Sequence, residues 1–324
     1  MMENFQSSAV HQSEYYKDAV RHIKKRKDGL ITSFKTPWPK LNNETLDGFE
    51  WRTMITIAAR SSVGKTSIKD QIIRSAHQLN ANTQFEIVEF QFELSPTRHA
   101  IRQLAGYTRT AYSKIQSKEK LTDQEFEKIK QQAQNLVQTL PLPYVISRPM
   151  TVEEIRQEIE YHSGHKFADK KVVYTLDHAG LVLRKSKSDE RQTLIELAAM
   201  ITEMKNKYDL IFILIAQLNR NIDNPARNTD GSPGNFISSS DIMGSDALMQ
   251  HSDLVIGVNR PGMFNIRYYG PPRFQITDAY QTVFHMVKNR DGEAGQLLWF
   301  TLEGATMSFL EIDAPASKTD NFNF

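Results

Sequence analysis

From residue 52 onward, short apolar runs of strand length alternate with segments whose apolar residues recur at helical spacing. "TMITIAA" is followed by "GKTSIKDQIIRSAHQL", "FEIVEFQFE" by "SPTRHAIRQLAGYTR", and "KKVVYTLD" by "DERQTLIELAAMITEMKNKY". A strand whose next partner lies beyond a helix pairs with it in parallel, so this order predicts an α/β domain built on a mainly parallel sheet. "DLIFILIAQ" is the most apolar of the strands and is expected at the sheet centre. After a helix around "DALMQH", the runs "SDLVIGV", "QTVFHMVKN", "QLLWFTLE" and "MSFLEI" follow with almost no helical sequence between them, which predicts an antiparallel finish.

Local signals place the helix ends. Ser95 followed by Pro96 reads as an N-cap with proline at the first helical position. Thr151 and Glu154 have the spacing of a capping box. "LTDQEFEKIKQQAQNLVQTL" is a second polar helix and "PYVIS" a short strand, while "NRNIDNPARNTDGSPGNF" is expected as a long surface loop. Ahead of the domain, residues 13–28 predict a strongly basic helix stopped at Gly29. The turn-rich "GLITSFKTPWPKLNN" then predicts an ordered lead-in loop. The expected organisation is a tail and basic helix over 1–28, one domain over 29–312 and a disordered tail over 313–324.

Composition removes several function classes. The 324 residues hold no cysteine, which excludes disulfides and thiolate metal sites. Forty Lys and Arg against 38 Asp and Glu leave the charge nearly balanced, so nucleic acid is not gripped by bulk charge alone. The histidines show no H-x-x-x-H spacing. The polar N-terminus has no signal-peptide core, and no apolar run reaches about 18 residues, so an intracellular, membrane-free protein is expected.

At the junction of the first strand and first helix stands "AARSSVGKTS", residues 59–67 at its core: Ala59, Arg60, Ser61, Ser62, Val63, Gly64, Lys65, Thr66 and Ser67. Gly-Lys-Thr in that setting is the signature of a phosphate-binding loop, in which backbone amides at a helix N-terminus hold an anion. Lys65 is then expected to neutralise the terminal phosphates and Thr66 to ligate Mg2+. Ala59 stands where such loops usually open with glycine. Three polar residues end later strands: Glu93, placed to polarise an attacking water; Asp177, which follows an apolar run as a metal-holding acid does; and Gln217, a candidate sensor of the terminal phosphate. In open α/β sheets ligands bind outside the carboxyl ends of the strands, and all of these residues fall on that edge.

Taken in order, the motifs resemble those of the DnaB-type replicative helicases, ring motors with a RecA-like core. "AARSSVGKT" is similar to that family's A-A-R-P-S-M-G-K-T, including the opening alanine. "FQFELS" is similar to F-S-L-E-M-S, "LTDQEFEKI" to L-T-D-E-D-W, "AQLNRNID" to S-Q-L-N-R-x-x-E, and "VKNRDGEAG" to K-Q-R-N-G-P-x-G. The likeness runs over residues 29–311. It implies a RecA-like P-loop NTPase core, ATP and Mg2+ as cofactors, and catalytic roles for Lys65, Glu93, Gln217, Lys288 and Arg290, with Thr66 and Asp177 at the metal. Lys288 and Arg290 match the K-x-R cations that, in the family, reach a neighbouring subunit's nucleotide, Arg290 as an arginine finger. The implied partners are single-stranded or forked DNA, further copies in a hexameric ring, and a primase or helicase loader. The implied setting is the cytoplasm, a host's cytoplasm for a phage protein.

The family's DNA contacts come from channel loops. Arg184, Lys185 and Lys187 in the loop after Asp177 are candidates, a solvated charged loop being the alternative reading. Gly244 and Ser245 form a second candidate, in a stretch where Met243 replaces the family's arginine and Asp246 its glycine. His178 replaces a tyrosine. Few residues precede the phosphate loop, so a minimal, motor-only member without the N-terminal collar is expected, its basic helix in the place of the family's linker helix. An ATP-driven, strand-separating motor is the leading expectation. A filament-forming RecA-like recombination or repair ATPase and a non-catalytic nucleotide-gated loader are the alternatives.

Overall fold

The computed structural model describes residues 11–118, 120–185 and 189–318. They fall into two compact units, the first ending at Ser33 and the second beginning at Phe34. The first unit is α1 (Gln12–Lys27), with no buried residue and with Lys24, Lys25, Arg26 and Lys27 in its last turn, where cations favour the helix dipole. It stops as expected at Gly29, whose φ of 71° lets the Leu30 amide bond to the Lys25 carbonyl, closing the orphan carbonyls of the last turn.

The second unit begins with α2 (Pro39–Glu44), a helical turn inside the lead-in expected as loop. There the Trp38 Nε1 donates to the Phe309 carbonyl at 2.9 Å, and its ring packs edge-on to Phe284 and Phe300. Alternation then follows, as read except for the unforeseen α5, β7 and β8: β1 (Thr53–Ala59), α3 (Lys65–Leu79), β2 (Phe85–Gln91), α4 (Pro96–Thr108), the short α5 (Tyr112–Ile115), α6 (Asp123–Thr139), β3 (Tyr144–Ile146), α7 (Val152–Tyr161), β4 (Lys171–Asp177), α8 (Glu190–Lys207), β5 (Leu210–Gln217), α9 (Ser245–His251), β6 (Leu254–Asn259), β7 (Tyr268–Tyr269), β8 (Phe274–Gln275), β9 (Gln281–Asn289), β10 (Leu297–Glu303) and β11 (Ser308–Ile312). Ser95 caps α4 with Pro96 behind it, and Thr151 and Glu154 close their capping box.

Nine strands form one sheet in the order β11-β10-β9-β6-β1-β5-β4-β2-β3, parallel from β6 through β3 and antiparallel from β6 through β11. The middle strand is β1, which carries the loop, and not the more apolar β5 expected there, which lies beside it; β1 is buried along its length and β5 as far as the half-buried Gln217. Alternate side chains feed two cores. Ile55, Ile57, Ile87, Val173 and Ile213 pack with Ile68 and Ile72 of α3, whereas Met54, Phe90, Tyr174 and Phe212 pack with Leu197 and Ile201 of α8. The expected long loop after β5 is a chain of 3-10 turns, and β7 and β8 form a hairpin apart from the main sheet. Of the expected C-terminal tail, Ala316 and Lys318 bond through their backbones to Gln275 and Pro272, and 319–324 lie outside the described residues. Among the described residues no helix is long and apolar enough to cross a membrane.

Candidate nucleotide site

The register fixes which strand ends meet. Ala59 pairs with Gln217 and with Val258, and Gln91 pairs with Asp177, so β1, β5, β6, β2 and β4 finish along one edge. The loop 60–64 turns there. Ala59 stays within β1, and the positive φ values fall later, at Ser62 (64°) and Gly64 (117°). A Cβ at Gly64 would stand 2.8 Å from the Phe309 ring, so both conformation and space require glycine. Val63 is buried under the loop, Ser61 and Ser62 are exposed, and Ser67 is buried in the first turn of α3.

Lys65 opens α3 and folds back, donating from Nζ to the carbonyls of Ala59 and Arg60 at 3.1 and 3.0 Å. Burial lowers its pKa from the ordinary lysine value, with Asp177 and Glu93 pulling in the other direction. Arg60 contributes only its backbone to the loop: its buried side chain turns away to pair with Asp223 at 3.0 Å, bonds to Asn228 and the Ile222 carbonyl, and lies 3.9 Å over the Phe264 ring. Gln217 Nε2 donates to Ser61 Oγ at 3.3 Å, and the Gln217 carbonyl accepts from the Met243 amide at 3.0 Å. The candidate sensor thus bridges the phosphate loop and the 240–250 segment.

Asp177 is 1 % exposed, and neither of its oxygens has a well-formed hydrogen bond. Burial raises its pKa; the positive charge of Lys69 and the neighbouring Thr66 hydroxyl favour the ionised form without completing such a bond. A buried acid with open lone pairs beside a helix-N-terminal hydroxyl suits a hydrated divalent cation, which takes oxygen ligands and retains water. Glu93 is exposed in the turn between β2 and α4, two residues past the strand end expected to carry it.

Behind these groups lies a polar layer that sequence reasoning missed. Gln91 is fully buried with both amide atoms unpartnered, as is the hydroxyl of Thr175. One turn after Lys65, the ammonium of Lys69 is inaccessible to solvent and bridges Glu89 at 2.5 Å and Asp70 at 2.9 Å, with His99 3.4 Å from Asp70. Asp70, Glu89 and His99 have the spacing of a metal cluster, but Lys69 supplies their cation. The signal was present: a parallel strand covered on both faces should be almost wholly apolar, and Glu89 and Gln91 break that pattern in β2.

Two expected cations lie elsewhere. Lys288 is the next-to-last residue of β9 and Arg290 follows the strand; β9 runs antiparallel to β6 and pairs Lys288 with Val255 and Asn289 with Leu254. They therefore stand toward the amino edge of the parallel strands, Lys288 level with Thr56, three residues and roughly 10 Å of strand from Ala59, and Arg290 farther still, past the level of Ile55. Arg290 donates to Asp253 and to the Gln250 carbonyl, both at 2.9 Å, and is half exposed; Lys288 donates to the Met249 carbonyl at 2.5 Å.

α8, which follows the first candidate polynucleotide loop, is joined to α9, which opens within the second, by the Arg191–Asp246 ion pair at 2.7 Å. Arg184 pairs with Glu190 at 3.2 Å and Lys185 with Glu196 at 3.6 Å, while Lys187 lies outside the described residues. Gly244, at φ 69°, precedes Ser245 at the start of α9. His178 accepts from the Gly180 amide and shapes the first of these loops.

Residues 30–310 match the family model described as DnaB-like helicase C terminal domain. The chain is 26% identical over 245 residues to the replicative DNA helicase DnaB of Helicobacter pylori, covering 75% of this chain and 47% of that one. It is 24% identical over 238 residues to the replicative DNA helicase DnaB of Buchnera aphidicola, covering 72% and 48%. It thus spans about half the length of these relatives. Among solved structures, one described as an ATPase domain superposes with a TM-score of 0.78 at 16% identity, covering 94% of this chain and all of that one. A DnaB-like replicative helicase, described with its interactions with primase, superposes at 0.75 and 15% identity, covering 95% and 68%. The RecA-like fold of these helicase domains is therefore the fold of this chain.

Proposed function

We propose that this chain, which belongs to the DnaB-like helicase C-terminal-domain family, is an ATP-hydrolysing motor that assembles into a ring, translocates on single-stranded DNA and separates duplex strands. The observation that carries the reading is the separation of its charged groups. The phosphate loop, Asp177 and Glu93 share one sheet edge, whereas Lys288 and Arg290 occupy the opposite edge. A cation so placed reaches a terminal phosphate only on another copy of the chain.

In this reading the amides of residues 61–65 and the Lys65 ammonium hold the β- and γ-phosphates. Thr66 and Asp177 hold Mg2+, which when bound shields phosphate charge and orients the γ-phosphoryl group. Glu93 accepts a proton from, and orients, the water that attacks it. Arg290 of the adjoining copy stabilises charge spreading over the transferring group, so hydrolysis depends on how two subunits dock. Gln217, bonded on one side to Ser61 and on the other to Met243, transmits the state of the phosphate to the loop 240–250. That loop and the one holding Arg184, Lys185 and Lys187 bind the phosphate backbone of a single strand, with Gly244 and Ser245 offering amides. The motor domain spans residues 29–312, with the basic helix docking on the next subunit, and the protein works in the cytoplasm. A primase or a helicase loader is its protein partner.

Native mass measurement with ATP, Mg2+ and a single-stranded oligonucleotide, paired with unwinding of a forked duplex, tests the proposal. Rings and strand displacement are expected. A lone subunit that hydrolyses ATP at full rate under these conditions rules it out.

A further inference from the structure

We propose that the Gln91 carboxamide belongs to the cation site: together with Asp177 it holds the water ligands of the divalent ion that enters with the nucleotide. The inference rests on the reading of Asp177 as the metal-holding acid and extends it to a residue of the adjoining strand.

Three observations carry it. Gln91 is wholly buried, yet neither Oε1 nor Nε2 has a partner among the described residues. Buried polar side chains are satisfied in the great majority of cases, so an amide with both ends open calls for a partner that is not protein. The strand register then says where that partner sits. Gln91 ends β2 directly beside Asp177, at the end of β4, and both side chains lie on the face covered by α3, whose first turn carries Thr66. Strand pairing therefore sets the open Asp177 carboxylate and the open Gln91 amide side by side at this edge.

The third observation separates this role from a packing role. Two residues earlier on the same strand and the same face, Glu89 is equally buried and is paired with the Lys69 ammonium at 2.5 Å. Apart from the small Thr175 hydroxyl, the polar side chains of this layer that serve the fold are paired within it. Gln91 is not. The chemistry also suits the position. Oε1 accepts from a metal-bound water, which only donates, and Nε2 donates to the carboxylate across the strand. An acid at residue 91 would instead add a second negative charge beside Asp177.

The test measures Mn2+ binding to the ADP complex by electron paramagnetic resonance, for the native chain, Gln91→Leu, Gln91→Met and Asp177→Asn. Metal-free ADP affinity and melting temperature are measured alongside. Gln91→Leu and Gln91→Met should each weaken Mn2+ about tenfold, the usual effect of removing an outer partner of a metal. ADP affinity without metal should stay within about twofold, and the metal-free melting temperature should hold or rise, because an open amide has been removed. Native Mn2+ affinity in both Gln91 variants, with Asp177→Asn impaired, overturns the role of Gln91 alone. Native affinity in Asp177→Asn as well overturns the reading on which it rests. Loss of folding in both Gln91 variants also overturns it, by making the amide structural.

Discussion

Arg290 and Lys65 stand at opposite edges of the same sheet, because β9 runs antiparallel to the strand that adjoins β1. Asp253 holds Arg290 there with an ion pair at 2.9 Å, and Asp253 itself takes the amide of Met54 and the ammonium of Lys205, which ties the cation to the foot of β1. If sites are shared between copies, Lys65→Ala disables the site of its own subunit and Arg290→Ala that of its neighbour. Each homogeneous variant should lose at least about a hundredfold in ATP turnover, with Arg290→Ala keeping nucleotide affinity. Mixtures should recover part of the activity, because some interfaces then join an intact loop to an intact arginine. Steady-state hydrolysis over a mixing series checks this; no recovery at any ratio argues for sites complete within one chain.

Gly64 offers a sharper test of the loop than its lysine. At φ 117° any side chain is strained, and the Phe309 ring closes the space a Cβ needs. Gly64→Ala should cost about 1–3 kcal/mol of stability and abolish ATP binding. The partner change Phe309→Leu makes room without relieving φ, so it should restore little. Calorimetric ATP binding by Gly64→Ala at native affinity would show that the loop does not hold phosphate in this conformation.

What could be read in advance follows the range of the interactions. The turn between β1 and α3, the Ser95 cap, the Thr151–Glu154 box and the Gly29 stop are set within a few residues, and each appears where its local chemistry places it. The strand ends at Asp177 and Gln217 were legible because an apolar run stops at a polar residue. The placement of Gln91 and Lys69 was not, since Gln91 meets Asp177, and Lys69 meets Glu89, only through the pairing of separate elements, and nothing local marks them as neighbours. The opposite placement of Arg290 depends on the direction in which β9 joins β6, a long-range choice. Arg60 reads as part of the loop, yet its side chain is drawn off by Asp223 and Phe264, more than 150 positions away. Proline on both sides of Trp38 masked α2, and strands of two residues are too short to announce the β7–β8 hairpin.

The Lys69 knot predicts an asymmetric mutational response. Burial disfavours the charges of Lys69 and Asp70, yet Lys69 holds the Asp70 carboxyl down to about 2, and Asp70 and Glu89 raise the ammonium of Lys69. Lys69→Met leaves two buried carboxylates without their cation and should cost about 3–5 kcal/mol. Replacing the acids as well, in Lys69→Met/Asp70→Leu/Glu89→Leu, should return most of that loss, because an apolar set of similar volume has no desolvation to offset. Urea unfolding of the two variants checks the pair. A single variant within about 1 kcal/mol of native would mean the three charges are not coupled as their geometry indicates.

His285 predicts how stability depends on pH. It is buried on β9, accepts or donates at 2.6 Å to the Tyr269 hydroxyl and packs against Phe236, and burial pushes its pKa down to about 3 despite the pull of Asp241. The unfolded chain protonates this ring near pH 6.5 and the folded chain does not, so below that pH the unfolded state binds the extra proton and gains. Stability contributed by this site is intact above pH 6.5 and declines by about 1.4 kcal/mol for each pH unit down to about 3. His285→Gln keeps a partner for Tyr269 but does not titrate. Between pH 7 and pH 4.5 the native chain should therefore lose about 3 kcal/mol more than this variant, measured by urea unfolding at each pH. Parallel losses in the two proteins would place the acid sensitivity on other groups and show that the ring protonates inside the fold.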